Sequence, residues 1–363
     1  VNRREIIRQL SLALTAVSLP MRNIARPFIR SGGMTYKGIN YDTGTHFDPS
    51  RLSVEWNSSA MQRDVNVIRD ELHCNTISLF GAEIARLTEA AAFAAEKGMH
   101  VWIQPRLFHA KQADVLQHLA ATARAAEQLR ERYPSIILNT GCEASLFTSG
   151  IIPGNSLESR IARLSSNWQE IPVYNKNLNT FLEQAAATAR THFTGTITYS
   201  AGLWEEVNWE KFDIIGLDHY MDASNEQSYA SSLRAFKRYG KPVVVTEFGC
   251  CCYEGADKAG AGGHDIIDWK ISGPVIKPGY VRNEQVQADY IAQLLEIFSE
   301  EQVAGAFVYV FSNPSQPHTA DPVSDLDMAG YSLVRTIAAT GGKPERWERK
   351  AAFETVAGFY DRH

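Results

Sequence analysis

Two glutamates in this chain of 363 residues stand where a carboxylate is costly without a partner or a task. Glu143 directly follows the apolar run 135–142, and Glu247 lies near the end of the run 242–248 (PVVVTEF). A pair of carboxyls can divide nucleophilic and acid–base work between them. At an acetal carbon, a separation of about 5–5.5 Å suits attack by one carboxylate while the other protonates the leaving oxygen, with net retention. A gap of about 6.5–9.5 Å suits inversion through a water.

The elements that must position this pair follow from the hydrophobic pattern. Apolar runs at 35–40, 75–80, 99–104, 135–142, 194–200, 213–218, 242–248 and 304–311 alternate with amphipathic stretches. The runs are short and apolar on both faces, as buried parallel strands are. The stretches 58–72, 83–97, 112–132, 157–168, 178–192, 228–239, 284–300 and 344–360 carry helical spacing. Eight such repeats predict an α/β fold, a closed (β/α)8 TIM barrel, as one domain over 34–363. Long polar insertions are expected after the fourth strand, near 148–155, and after the seventh, 250–280. No GxGxxG follows the first strand and no GxxxxGK[ST] occurs, so nucleotide-binding sheets lack their phosphate loops.

In such a barrel the chemistry lies at the C-terminal ends of the strands. The polar and aromatic residues there are the candidates that accompany the two glutamates. Asn40 and Asp42 end the first strand and are read as ligands for substrate hydroxyls or as caps of the following loop. Arg106 and His109 follow the third strand, and Arg106 is the candidate counter-charge for Glu247. Trp204 follows the fifth and is read as a stacking platform or a loop anchor. Asp218, His219 and Tyr220 end the sixth, and Asn313 follows the eighth.

These motifs, in this order, resemble clan A of the retaining glycoside hydrolases. VVVTEFG around Glu247 is similar to the clan's nucleophile strand, and DIIGLDHY ending at Tyr220 to its sixth strand. The run from Glu284 through GAFVYVF is similar to its last repeat, and the ending KPERWERKAAFETVAGFY to its closing helix. The resemblance implies Glu143 as acid/base, Glu247 as nucleophile and Tyr220 as a hydrogen-bond partner of the nucleophile. It implies a carbohydrate or glycoside substrate and no cofactor. Two departures stand out. The clan carries Asn before its acid/base, where this chain has Cys142, and Trp on its eighth strand, where this chain offers Tyr309 or Phe311. Two other classes stay open: a barrel enzyme of different acid–base chemistry, such as an isomerase, cyclase or lyase, and a non-catalytic barrel that binds a glycan or a protein.

Composition narrows the field further. Charged residues make up 21% and the net charge is −5, which argues against a nucleic-acid binder with its basic face. No run of 18 apolar residues predicts a membrane span. The five cysteines (Cys74, Cys142, Cys250, Cys251, Cys252) are odd in number and three are consecutive, which fits buried thiols better than a disulfide framework or a zinc site. Residues 1–33 read as a leader or extension. Arg3 and Arg4 before the apolar run 10–19 are similar to a twin-arginine export signal, but Arg8 interrupts the segment and no small-x-small cleavage pattern follows. A cytoplasmic protein is the expectation, with export as the alternative.

Overall fold

The computed structural model describes residues 34–45, 56–270, 273–339 and 345–363. The leader pattern over 1–33 lies outside the described residues. Eight parallel strands close a barrel: β1 (Tyr36–Asp42), β2 (Thr76–Gly81), β3 (His100–Pro105), β4 (Ile136–Cys142), β5 (Ile197–Gly202), β6 (Ile215–Asp218), β7 (Val243–Phe248) and, after an inserted hairpin, β10 (Gly305–Val308). The hairpin pairs β8 (Ile267–Lys270) antiparallel with β9 (Gly273–Ile276). Closure is made by β1, which pairs with β2 on one side and β10 on the other. The barrel predicted from the alternating runs is present.

Helices cover the outside wherever apolar residues recur on one face. Ile84–Glu96 buries Leu87, Ala90, Ala91, Ala94 and Ala95. That alanine face lets the helix lie close to β2 and β3. Glu284–Glu300 buries Ile291, Leu294, Leu295 and Phe298 behind β7 and β10. No helix among the described residues is long and apolar enough to cross a membrane.

The inside of the barrel is filled at its lower end by Trp102, Ile137, Ile214, Val244 and Phe307. The rings of Trp102 and Phe307 lie 4.8 Å apart. Gly38 makes room for this plug: a Cβ there would sit 2.4 Å from the Phe307 ring. The plug matters to function because it leaves polar residues only the upper layers.

The chain end differs from the expected closing helix over 344–360. β12 (Arg346–Arg349) pairs antiparallel with β11 (Val334–Ile337), and the helix begins at Ala351. Side-chain pairing explains the change. Arg335 and Arg346 both meet Glu348 across or along this ribbon, and the Trp347 indole donates to Asp64 at 2.8 Å. The fifth strand also starts later than expected, at Ile197 rather than 194.

Above the barrel, the segment after β10 is fixed by a buried ionic cluster. Asp327 meets Lys350 at 3.2 Å and Arg282 at 2.8 Å, and Asp325 meets Arg282 and His318 at 2.9 Å each. The five cysteines are all buried and unbridged. The Cys251 and Cys252 thiols donate to the carbonyls of Ala329 and Asp327 in the same roof.

Phe307→Ala removes one of the two aromatic rings of the plug and leaves a cavity under the site. Loss of about 3–5 kcal/mol of unfolding free energy is expected, read from urea denaturation. A change below about 1 kcal/mol would mean the plug collapses freely and does not brace the upper layers.

Candidate active site

The position of Glu247 depends on one extra residue in β7. Val244 points into the barrel with the plug, whereas Val243 and Val245 join the outer core. Strict alternation would then send residue 246 inward and 247 outward. The pairing shows otherwise. Leu217 faces Val245 and Asp218 faces Glu247 on one side, and Ala306 faces Val245 and Val308 faces Phe248 on the other. Both neighbours therefore meet one surplus residue at Thr246, a β-bulge. Thr246 and Glu247 both reach interior partners, and Phe248 resumes the outward side against Phe298, ring centroids 4.8 Å apart.

Glu247 meets three neighbours. Arg106 Nη2 donates to its Oε1 at 2.7 Å, with both side chains buried. Tyr220 Oη donates to Oε2 at 3.4 Å. Cys142 Sγ lies 3.7 Å from Oε1. Arg106 is itself fixed: Nε donates to Gln104 Oε1 at 2.9 Å, and its guanidinium lies 4.3 Å from the centre of the Phe80 ring. An aromatic wall continues around the mouth. Phe80 stacks on Tyr309 at 5.9 Å, Tyr309 meets Tyr331 at 6.2 Å, and Tyr331 meets Tyr220 at 5.8 Å. Beside Arg106, a cleft of about 620 Å³ opens past Glu83, Leu107, Phe108 and His118.

Glu143 is carried by a second irregularity. The register between β4 and β5 slips between Asn139 and Cys142, so Cys142 stands opposite Ser200. Glu143 follows with φ 40° and ψ 46°, the left-handed region. For a residue with a Cβ this costs about 1–3 kcal/mol and persists only where the surroundings dictate it. Those surroundings are visible. The Glu143 amide donates to the Ser200 carbonyl at 2.9 Å. Ala144 N donates to Tyr199 Oη at 2.7 Å, and Ser145 N to Glu205 Oε1 at 3.0 Å. Tyr199 Oη in turn donates to Glu205 Oε2 at 2.8 Å, and Gly202 N donates to the same oxygen at 3.2 Å. Glu205 thus staples the turn that presents Glu143. Burial pushes the Glu205 carboxyl up to about 7 against the pull of these hydrogen bonds.

A third carboxyl, Asp218, lies near enough to feel the charge of both. Asp218 Oδ1 accepts from Thr246 Oγ1 at 2.7 Å, and its Oδ2 is 3.2 Å from Cys142 Sγ. Burial and the nearby charges of Glu247 and Glu143 hold the Asp218 carboxyl well above its ordinary range. The Cys142 thiol is also pushed up, chiefly by burial. Donor atoms of Cys142, Asp218 and Glu247 lie within 4.8 Å of one another, as do those of His318, Asp325 and Asp327. In both groups a fixed guanidinium or ammonium already takes the counter-ion position: Arg106 in the first, Arg282 and Lys350 in the second.

The remaining sequence candidates divide. Tyr309 stands in the aromatic wall, whereas Phe311 is fully buried against Tyr41 and Trp347. Asn40 lies inside the barrel and donates to the Thr246 carbonyl at 2.9 Å, bracing the bulge. Asp42 accepts from Gly44 N at 2.9 Å and Thr45 Oγ1 at 2.7 Å, which makes it a cap of its own loop. His219 points away from the mouth: Nε2 meets Ser232 Oγ at 2.8 Å and its ring packs on Tyr229. Burial lowers its imidazole to about 3. His109 Nδ1 meets Arg160 at 2.7 Å in the segment after β4. Trp204 is buried over Leu146, Ile152, Leu164 and Tyr174 and donates to Ser145 Oγ at 2.9 Å, the anchoring alternative. Asn313 donates to Gln316 at 2.8 Å within its own turn. Thr246, Glu205, Phe80 and Tyr331 were not among the candidates, and Asp218 was named only as a strand-end residue without a role. Asp218 carried a signal, because it shares the inward face with Tyr220 two residues on.

No protein-family model matches the chain, and no curated protein matches it. Among solved structures it is similar to a GH113 beta-1,4-mannanase in a complex, with TM-score 0.56 and 14% identity over 91% of this chain and 100% of that one. It is similar to the GH113 beta-mannanase of Alicyclobacillus acidocaldarius in complex with ManMIm (TM-score 0.55, 13% identity, 92% and 98% covered). A family 1 b-glucosidase from Thermotoga maritima, in complex with isofagomine lactam, aligns with TM-score 0.55 and 10% identity over 91% and 98%. At these identities the likeness is one of fold, and it extends over nearly the whole of each chain. The resemblance drawn from the strand-end motifs is met at that level.

Glu205 yields a pH test. Its folded value of about 7 exceeds the ordinary 4.5, so the folded state keeps a proton that the unfolded state has released between those values. Its contribution is fully present below about 4.5 and is lost as pH rises through about 7, on the order of 3 kcal/mol. Denaturant unfolding of wild type and Glu205→Gln across this window should show that pH-dependent loss in wild type alone. Equal pH slopes would remove Glu205 as the titrating group.

Proposed function

We propose that this protein is a glycoside hydrolase-like enzyme that cleaves an O-glycosidic bond by double displacement with net retention. The observation that supports it most is the bulge-aimed Glu247, with Arg106 on one oxygen and Tyr220 on the other, at the same barrel mouth as Glu143. The fold likeness to a beta-1,4-mannanase and a b-glucosidase supports the same class.

In this reading Glu247 Oε2 attacks the anomeric carbon. Glu143 donates its proton to the leaving oxygen as that bond breaks. A glycosyl ester to Glu247 results. Glu143, now a carboxylate, takes a proton from water, whose oxygen attacks the anomeric carbon and releases Glu247. Arg106 occupies the other Glu247 oxygen and keeps the carboxylate plane fixed. Tyr220, Tyr309 and Tyr331 form the wall against which an apolar sugar face packs. The cleft beside Arg106 seats further parts of the substrate. The thiol at Cys142 favours a glycone whose C2 position needs no amide contact, such as a 2-deoxy or otherwise modified sugar.

The test is hydrolysis of a panel of α- and β-nitrophenyl glycosides that includes 2-deoxy and 2-modified sugars. Wild type should cleave at least one. Glu143→Ala and Glu247→Ala should each lose about 10²–10⁴-fold in kcat. Azide should restore Glu247→Ala with a glycosyl azide of inverted configuration. Undiminished cleavage by Glu247→Ala sinks the mechanism. A wild type that binds glycosides and cleaves none turns the assignment toward a glycan-binding barrel.

A further inference from the structure

Among the described residues the mouth holds three buried carboxyls, Glu143, Asp218 and Glu247, and the guanidinium of Arg106 pairs with one of them. Arg106 is committed to Glu247 Oε1 at 2.7 Å. Among the described residues the hydrogen-bond partners of the Asp218 carboxyl are neutral: Thr246 Oγ1 at 2.7 Å and Cys142 Sγ at 3.2 Å. Its charged neighbours are Glu247 from β7 and Glu143 from the end of β4, with Arg106 beyond Glu247 from the end of β3. Tyr220 lies on its own strand side, and Tyr309 faces Glu247 and Cys142 from the end of β10.

Cys142 Sγ touches both Asp218 Oδ2 and Glu247 Oε1, at 3.2 and 3.7 Å. A thiol carries one proton and can donate to one of them. Two ionised carboxylates would leave the second contact without a proton, between a sulfur lone pair and an anionic oxygen. A proton on Asp218 resolves this. Asp218 O–H then donates to Sγ, and S–H donates to Glu247 Oε1, with the heavy atoms where they stand.

We propose that Asp218 and Cys142 form a directed chain, Asp218 O–H to Cys142 S–H to Glu247 Oε1, that positions the Glu247 carboxylate. Asp218 is a positioning residue here, acting through Cys142. The chain takes the place that an amide side chain at position 142 would fill. Its link to turnover rests on Glu247 being the nucleophile; its proton inventory does not. Burial and two like-charged neighbours favour the neutral form of Asp218; the hydrogen bond from Thr246 opposes it, as does one from Cys142 while its S–H points to Asp218 rather than to Glu247.

The test is infrared spectroscopy of the full chain with ¹³C-labelled aspartate, wild type minus Asp218→Asn, across pH 4 to 8. A protonated-carboxyl C=O band belonging to Asp218 should persist at pH 7. Glu247→Gln should move its midpoint down by about one pH unit or more. In kinetics, Asp218→Asn, which keeps an N–H donor toward sulfur, should retain more activity than Asp218→Ala, and Cys142→Ala should shift the acidic limb of kcat/KM. A band that appears only near the ordinary aspartate range of about 4 overturns the chain. If Asp218→Asn does not fold, the shift of the wild-type band by Glu247→Gln decides the question, and an unmoved midpoint overturns the proposal. Because the infrared arms need no turnover, an absence of glycosidase activity and an ionised Asp218 are read separately.

Discussion

One surplus residue in β7 sets the geometry of this barrel mouth. Without it, the inward side chains would be Val244 and Thr246, and Glu247 would face the helix Glu284–Glu300. Its carboxylate would then lie in an apolar layer beside Phe298, at a cost of several kcal/mol. The bulge exchanges that outcome for two consecutive inward residues. Thr246 is spent on Asp218, and Glu247 reaches Arg106. Asn40 holds the irregular backbone by donating to the Thr246 carbonyl, so β1 braces a distortion in β7 across the barrel.

The ionic balance separates working residues from structural ones. In the roof, Asp325 and Asp327 are matched by Arg282, Lys350 and His318, and Lys350 and Asp327 are almost fully buried. Such a matched cluster specifies how the segment after β10 sits. It leaves no charge to respond to a ligand. At the mouth, Arg106 is committed to Glu247, and burial with the like charges of Glu247 and Glu143 pushes the Asp218 carboxyl above its ordinary range. Groups in that condition change charge when a neighbour does, which is what acid–base chemistry requires.

The barrel was legible because buried parallel strands and alanine-faced helices leave strong periodic patterns in the sequence. The two glutamates were legible as strand-end residues. Their aim was not. Counting by two from Val244 places Glu247 outside, and nothing in VVVTEFG marks the bulge that reverses it. The same counting applied to the unbulged end of β6 succeeds: Asp218 and Tyr220 share the interior, and His219 turns away to Ser232. Trp204 shows another limit. Its place after the fifth strand is equally consistent with a platform or an anchor, and only the residues of the segment after β4 packed around it decide for the anchor. The terminal ribbon was missed because Trp347 finds its partner in Asp64 on a distant element and Glu348 finds Arg335 across the ribbon, neither of which local periodicity contains.

Glu143 and Glu247 are held by separate devices, one by the left-handed turn stapled through Tyr199 and Glu205, the other by the bulge and Arg106. Residue 142 belongs to both. It is bonded to Glu143 along the chain and touches Glu247 and Asp218 through space. A change there alters the surroundings of both carboxyls without moving the backbone that carries either. An amide offers two N–H donors and an acceptor, whereas a thiol offers one weak donor and a large polarizable sulfur. With Cys142 in that position, the grip on a polar substituent weakens while the buried carboxyl behind it gains a partner. In the proposed reaction, specificity therefore turns on the single side chain of Cys142, which touches the buried carboxyls of both Asp218 and Glu247.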